Sequence, residues 1–205
     1  MSTTDLDVKM KILLAAKRLF AKQGFDGTSV RQICEEAGAN VALVSYHFHG
    51  KENLFVELFK TFFPGNDLQK FEPYLQDPII GIKKLIEEVL RFKMDDPELA
   101  TIIQQEFATQ SPRIDAISQF IFPVWMKLRE LLEKGRRMGV FHFRSIDNTM
   151  LFVLGTLLFQ KNSEHFQPIM SEDTPTFEST YSDAEIFILR GLGAANQVTD
   201  GSQNN

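Results

Sequence analysis

The chain has 205 residues, 43% hydrophobic and 24% charged, the balance of an ordinary soluble globular protein long enough to bury a core without staples. A lone cysteine, Cys34, excludes an intrachain disulfide framework. No run reaches the roughly 18 apolar residues that would span a bilayer, and the opening MSTTDLDVKMK carries acids where a secretory signal needs an apolar stretch, so a cytoplasmic location is expected. The net charge of −5 is uneven: residues 1–63 carry eight Lys/Arg against seven Asp/Glu, and residues 64–205 fourteen against twenty. Only the first segment is suited to a polyanion, and there the contact must be local and geometric.

In chain order, Ile12, Ala16 and Leu19, with Leu13 and Phe20 beside them, form one apolar stripe of a first helix that Gly24 ends. A second helix is expected from Ser29, where Ser29 and Gln32 fit a capping box and Val30, Ile33, Cys34 and Ala37 recur at i, i+3, i+4 and i+7. Gly38 can close it with φ > 0. Asn40 can cap a third short helix that turns Leu43 and Val44 inward and ends near Phe48 to Gly50, and a fourth runs from Lys51 to Phe63. Two short helices joined by a tight turn, flanked by longer ones, are the layout of a helix-turn-helix DNA-binding unit. Its outward side chains would be Asn40, Val41, Ala42, Ser45, Tyr46 and His47, with Lys51 adding a positive charge beside helix N–H groups that favour phosphate.

Beyond Pro64, the prolines and Gly65-Asn66 mark a connector. Helices are expected near 79–94, 97–110, 112–138, 147–164 and 182–196, with 165–181 an unusually long loop. NTMLFVLGTLLF is apolar almost all round, with Leu151, Leu154 and Leu158 on one stripe and Phe152, Gly155, Thr156 and Phe159 on another, so it should be buried on two sides. A symmetric partner is the economical cover for its outer face. The final helix offers Ala184, Phe187, Ile188, Gly191, Leu192 and Ala195.

FAKQGFDGTSVRQICEEAGANVALVSYHFHGKENLF resembles the DNA-binding region of the TetR family of bacterial transcriptional regulators, through Phe20, Gly24, Phe25, Thr28, Ser29, Val30, Ile33, Cys34, Ala37, Gly38, Phe48, Lys51, Glu52 and Leu54. The resemblance covers roughly residues 9–60. It implies an all-α homodimer with an N-terminal helix-turn-helix domain over 1–50, a connecting helix over 51–63, a ligand-binding and dimerisation domain over 64–197, and a disordered tail over 198–205. It also implies a mostly repressing regulator that binds a palindromic double-stranded DNA operator and releases it when a small molecule occupies the C-terminal domain. Thr28 and Arg31 lie where the family meets the DNA backbone, Tyr46, His47 and Lys51 where it clamps phosphates, and Asn40 to Ser45 where it reads bases. Ala39, Val41 and Ser45 depart from the usual Val, Lys or Arg, and aromatic, which leaves fewer cationic base readers.

The family pairs its last two long helices with their copies in a four-helix bundle. That places Leu151, Leu154, Gly155, Leu158, Phe159, Phe187, Ile188, Gly191, Leu192 and Ala195 at a dimer interface. It also implies a pocket among the middle helices, for which Phe92, Ile103, Phe107, Phe120, Phe122, Trp125 and Phe152 are the apolar candidates and Glu106 and Gln110 the polar anchors. An unpaired, buried Glu106 would predict a cationic ligand; otherwise an apolar or aromatic effector is expected.

Competing chemistry is thin. His47 and His49 stand at i, i+2, on different sides of a helix, without a Cys or carboxylate at usual metal spacing, so no metal is expected. Cys34 falls on the apolar stripe as a small core residue. GLGAAN at 191–196 lacks the third glycine and the following βα unit of a dinucleotide site, so no cofactor is expected either. No E-x-x-H pair, nucleophile elbow or phosphate-cradling loop speaks for an enzyme. The alternative to DNA binding is a dimeric helical module acting through protein partners.

Overall fold

The computed structural model describes residues 3–159, 168–171 and 175–194. Among them lie nine α-helices and no strand: α1 (Thr3–Gln23), α2 (Val30–Ala37), α3 (Val41–Phe48), α4 (Lys51–Phe62), α5 (Pro78–Asp95), α6 (Pro97–Ala108), α7 (Ile114–Arg137), α8 (Ile146–Phe159) and α9 (Phe177–Gly191). The connector Pro64–Gln76 is a run of 3-10 turns. The disordered tail expected from residue 198, and residues 160–164 at the end of the expected helix, lie outside the described residues.

The helices divide into two compact units, one of residues 1–66 with 95–122 and the other of 67–94 with 123–205. This does not follow the sequential split expected at Pro64, because α6 and the first turns of α7 belong with the N-terminal helices. In that first unit Asp96 caps α6 by accepting from the Leu99 N–H at 3.0 Å, with Pro97 at the first helical position. The same carboxylate receives Lys17 of α1 at 2.7 Å, and Gln105 donates to the Ala21 carbonyl at 3.0 Å. The core is aromatic: Phe20, Phe25 and Phe55 sit with ring centroids 5.3–5.7 Å apart, and Phe59 joins Phe55 to Phe120. Cys34 is buried among these helices.

The second unit buries one apolar side of α5, α7, α8 and α9 together, with Ile82, Leu85, Ile86, Leu128, Leu132, Leu157 and Leu189 at its centre. Close approach sets one residue type: a Cβ on Gly135 of α7 would collide with the Phe141 ring. α9 begins at Phe177, five residues before the expected start, with Thr176 accepting from the Ser179 N–H at 3.2 Å. The reason is a register of pairs between α5 and α9. Arg91 lies over the Phe177 ring at 4.9 Å, and Lys83 meets Glu185 at 2.8 Å. Between them Tyr181 is pushed up in pKa, first by burial and then by its hydrogen bond to Glu185. These contacts stand eight residues apart on each helix, with Tyr181 midway on α9, and hold its early turns in place.

α8 buries Val153 and Leu157 and leaves Leu151, Phe152, Gly155 and Phe159 exposed, while Leu154 and Leu158 are half-buried. One side of it therefore faces its own core. On α9 the open positions are Phe187 and Gly191, whereas Ile188 and Leu192 are buried within the unit's own core, which removes these two from an outward-facing interface set. Ala195 lies outside the described residues.

Candidate nucleic-acid interface

The turn between α2 and α3 is made by local chemistry. The Ser29 hydroxyl accepts from the Gln32 N–H at 3.2 Å while the Gln32 side chain accepts from the Ser29 N–H at 2.8 Å, closing the capping box. Gly38 takes φ 63, and the next N–H, that of Ala39, returns to the Cys34 carbonyl at 2.9 Å. Asn40 then caps α3, accepting from the Ala42 N–H at 2.9 Å. α3 stands on buried Val44 and Phe48, so Val41, Ala42, Ser45 and Tyr46 are all exposed on its other side. Tyr46 is 68% exposed and Val41 48%.

Arg31 is also exposed, with its Nε donating to Glu35 one turn on at 2.9 Å. Such a surface pair is worth little, so the guanidinium can exchange its carboxylate for a phosphate at small cost. His47 is placed differently from the expectation. Its ring is half-buried between those of Tyr46 and Phe48, and its Nε2 is shielded from solvent without a hydrogen-bond partner, so that atom does not face a phosphate.

Two further residues expected at the DNA backbone are used inside the protein. Thr28 is 1% exposed. Its hydroxyl donates to the Gly24 carbonyl at 2.7 Å and accepts from Gln23 at 3.2 Å, so its side chain cannot also bond phosphate. Lys51, half-buried, donates to the carbonyls of Phe25 at 3.0 Å and Thr28 at 2.8 Å and lies 4.1 Å from the centre of the Phe25 ring. Its charge is committed to the carbonyl ends of the α1–α2 loop. The loop is thus one partner of Lys51, whose ammonium keeps a third N–H beyond the two it gives to these carbonyls.

Sequence reasoning missed the other support of that loop. Arg113 lies 4.1 Å from the Phe25 ring centre and forks between Glu106, at 2.9 and 3.3 Å, and Asp26, at 3.1 and 3.3 Å. Arg113 and Asp26 are 87 residues apart, so no local spacing announces the pair. Glu106 is 3% exposed and paired, and the condition for a cationic ligand is therefore not met.

The remaining candidates for an effector site are dispersed. In the first unit Ile103 is buried, Phe120 is half-buried, and Phe107, Gln110 and Phe122 are exposed. In the second, Phe92 and Trp125 are half-buried and Phe152, 73% exposed, lies on the open side of α8 rather than in a pocket. A hollow of about 220 Å³ is lined by His47, His49, Asn53 and Glu57 among others, and one of about 300 Å³ by Leu75, Glu130, Lys134 and Arg137 among others. None of the residues expected at an effector site borders either of them.

Known proteins are similar to this chain in sequence and fold. The family model described as bacterial regulatory proteins, tetR family, matches residues 12–58, which run from the first buried turns of α1 into α4. The HTH-type transcriptional repressor NicS of Pseudomonas putida is 28% identical over 163 residues, 75% of this chain and 76% of that protein. The crystal structure of HlyIIR, a hemolysin II transcriptional regulator, is 31% identical and superposes with a TM-score of 0.77, covering 92% of this chain and 98% of that one. PfmR, a TetR family transcriptional regulator from Thermus thermophilus, is 26% identical with a TM-score of 0.66 over 88% and 98% of the two chains. A helix-turn-helix built by this capping pattern, a matching family model and near full-length likeness to HlyIIR lead to one conclusion: the chain belongs to the tetR family of bacterial regulatory proteins and is a DNA-binding transcriptional regulator.

Proposed function

We propose that the chain is a repressor that occupies a palindromic operator as a homodimer and leaves it when a small apolar or aromatic effector binds. Regulators of this family bind DNA operators as dimers with small-molecule effectors. The observation that carries the reading is α3 itself, a short capped helix fixed by Val44 and Phe48 with its opposite face open. Exposed Tyr46 and Arg31 would contact phosphate and fix register, while the first turn of α3 would meet base edges. The exposed Leu151, Gly155 and Phe159 of α8 and Phe187 and Gly191 of α9 support a partner copy as their cover.

Each half-site needs one α3 in a major groove, with centres about one helical turn, roughly 34–36 Å, or a multiple apart. An effector that favours a different spacing of the two α3 helices would release the DNA by as much free energy as its affinities for the two states differ. The nineteen phenylalanines favour an apolar or aromatic effector. The chain acts in the cytoplasm, by binding rather than by turnover; among the described residues no helix is long and apolar enough to cross a membrane.

Selection of bound sequences from a random duplex pool, followed by affinity against salt concentration, tests the reading. The expected result is an enriched palindrome whose affinity falls steeply with salt. Failure to enrich any sequence would overturn it.

A further inference from the structure

We propose that α3 reads thymine methyl groups, with Val41 as the side chain that selects the base. The inference rests on the DNA-binding reading above and concerns what α3 recognises there.

No group on the open face of the first two turns of α3, up to Ser45, is ionised: Asn40, Val41, Ala42 and Ser45 are the exposed residues there. The commonest specific contact, a bidentate cation on guanine, therefore has no donor there. Arg31, on α2, carries the nearest guanidinium in sequence, and its Nε is directed at Glu35. Bidentate reading of adenine by an amide needs the amide oxygen to accept from the base while the amide nitrogen donates to it. The Asn40 oxygen accepts from the Ala42 N–H at 2.9 Å as the helix cap, which fixes the amide at the helix end, so reading an adenine would have to share that oxygen and keep that orientation. That leaves the two methyls of Val41, the methyl of Ala42 and the hydroxyl of Ser45.

Val41 is 48% exposed, a β-branched apolar side chain at the first position of a helix whose hydroxyl-bearing Ser45 stands one turn further on the same side. In the major groove the apolar counterpart of such a side chain is the thymine C5-methyl, while a serine hydroxyl accepts either a donor or an acceptor and discriminates weakly. The geometry thus places apolar contact ahead of hydrogen bonding as the source of base choice: an A·T pair, oriented with its methyl towards Val41, in each half-site.

The test uses the full-length chain and the duplex it enriches from the random pool, resynthesised with deoxyuridine in place of thymidine one symmetric pair of positions at a time. This exchange removes the methyl and keeps the pairing. At the pair facing Val41 the expected loss is about fourfold per methyl, hence roughly 15-fold for the two half-sites, and it shrinks in the Val41→Ala chain, whose fold is not in question because the site is exposed. Equal affinity for every uridine duplex overturns the inference and leaves the regulator reading standing. So does an equal penalty in Val41→Ala, because the methyl would then act through DNA shape instead of contact. A pool with no enriched sequence overturns the regulator reading itself, which keeps the two failures distinct.

Discussion

In the first unit one ring, Phe25, has Lys51 and Arg113 each within 4.1 Å of its centre; Lys51 holds the backbone carbonyls around it and Arg113 the carboxylates of Asp26 and Glu106. In the second unit α5 and α9 are joined instead by contacts spaced eight residues apart, Lys83 with Glu185 and Arg91 with Phe177, and within α5 Glu87 holds Arg91 at 2.8 Å and Lys84 at 3.1 Å. The first arrangement is concentrated and long-range, so its buried members matter most; the second is distributed along two helices, so each contact is replaceable. The loop beside the recognition element is therefore the part of the chain most exposed to a single substitution, and two of its supports, Thr28 and Lys51, are residues whose type alone suggests contact with DNA.

The comparison breaks most sharply at Arg113. Arg113→Ala leaves the buried Glu106 carboxylate without its partner, and a loss of about 3–5 kcal/mol in unfolding free energy is expected from chemical denaturation; a loss under about 1 kcal/mol would show that the cluster is not a hub. Lys51→Met keeps the aliphatic stem and removes two charge-assisted bonds to carbonyls, which should cost about 2 kcal/mol in the same experiment. If Lys51 served DNA alone, stability would be unchanged and only operator affinity would fall.

Smaller effects belong to the α5–α9 side. The Glu87 carboxyl is held below its usual range first by Arg91 and then by Lys84. A depressed carboxyl contributes stability that is present above its unfolded value of about 4.5 and is lost as pH falls through the lower folded value. Wild type should consequently lose more stability between neutral pH and the acid side of that window than Glu87→Gln does; parallel pH profiles would contradict the pairing. Smallest of all, Asp26→Asn should change stability by less than about 1 kcal/mol, because Asp26 is exposed although it touches the same guanidinium as Glu106.

Much of this was legible in the residues, where the physics is local. The capping box of Ser29 and Gln32, the left-handed Gly38 and the Asn40 cap are encoded within three or four positions, and both reciprocal bonds of the box are present. The inward turn of Val44 follows from the same spacing. What was not legible depends on tertiary partners. Lys51 looks like a phosphate clamp until the carbonyls of Phe25 and Thr28 converge on it, and Arg113 has no neighbour in sequence that points to Asp26. In α8, hydrophobic almost all round, periodicity could not say which apolar side faces its own core, and the burial of Ile188 and Leu192 in α9 was hidden for the same reason. The early start of α9 had a signal that was available: Phe177, Tyr181 and Glu185 repeat every four residues, as do Lys83, Glu87 and Arg91.

Binding as a dimer is read from the stoichiometry of the complex on the enriched duplex, by sedimentation of the full-length chain with DNA carrying both half-sites and with DNA carrying one. A dimeric regulator places an even number of chains on the palindrome and forms a much weaker complex on the single half-site, since two α3 helices fixed by one dimer must engage together. One chain per palindrome, bound as tightly as on a single half-site, would contradict it.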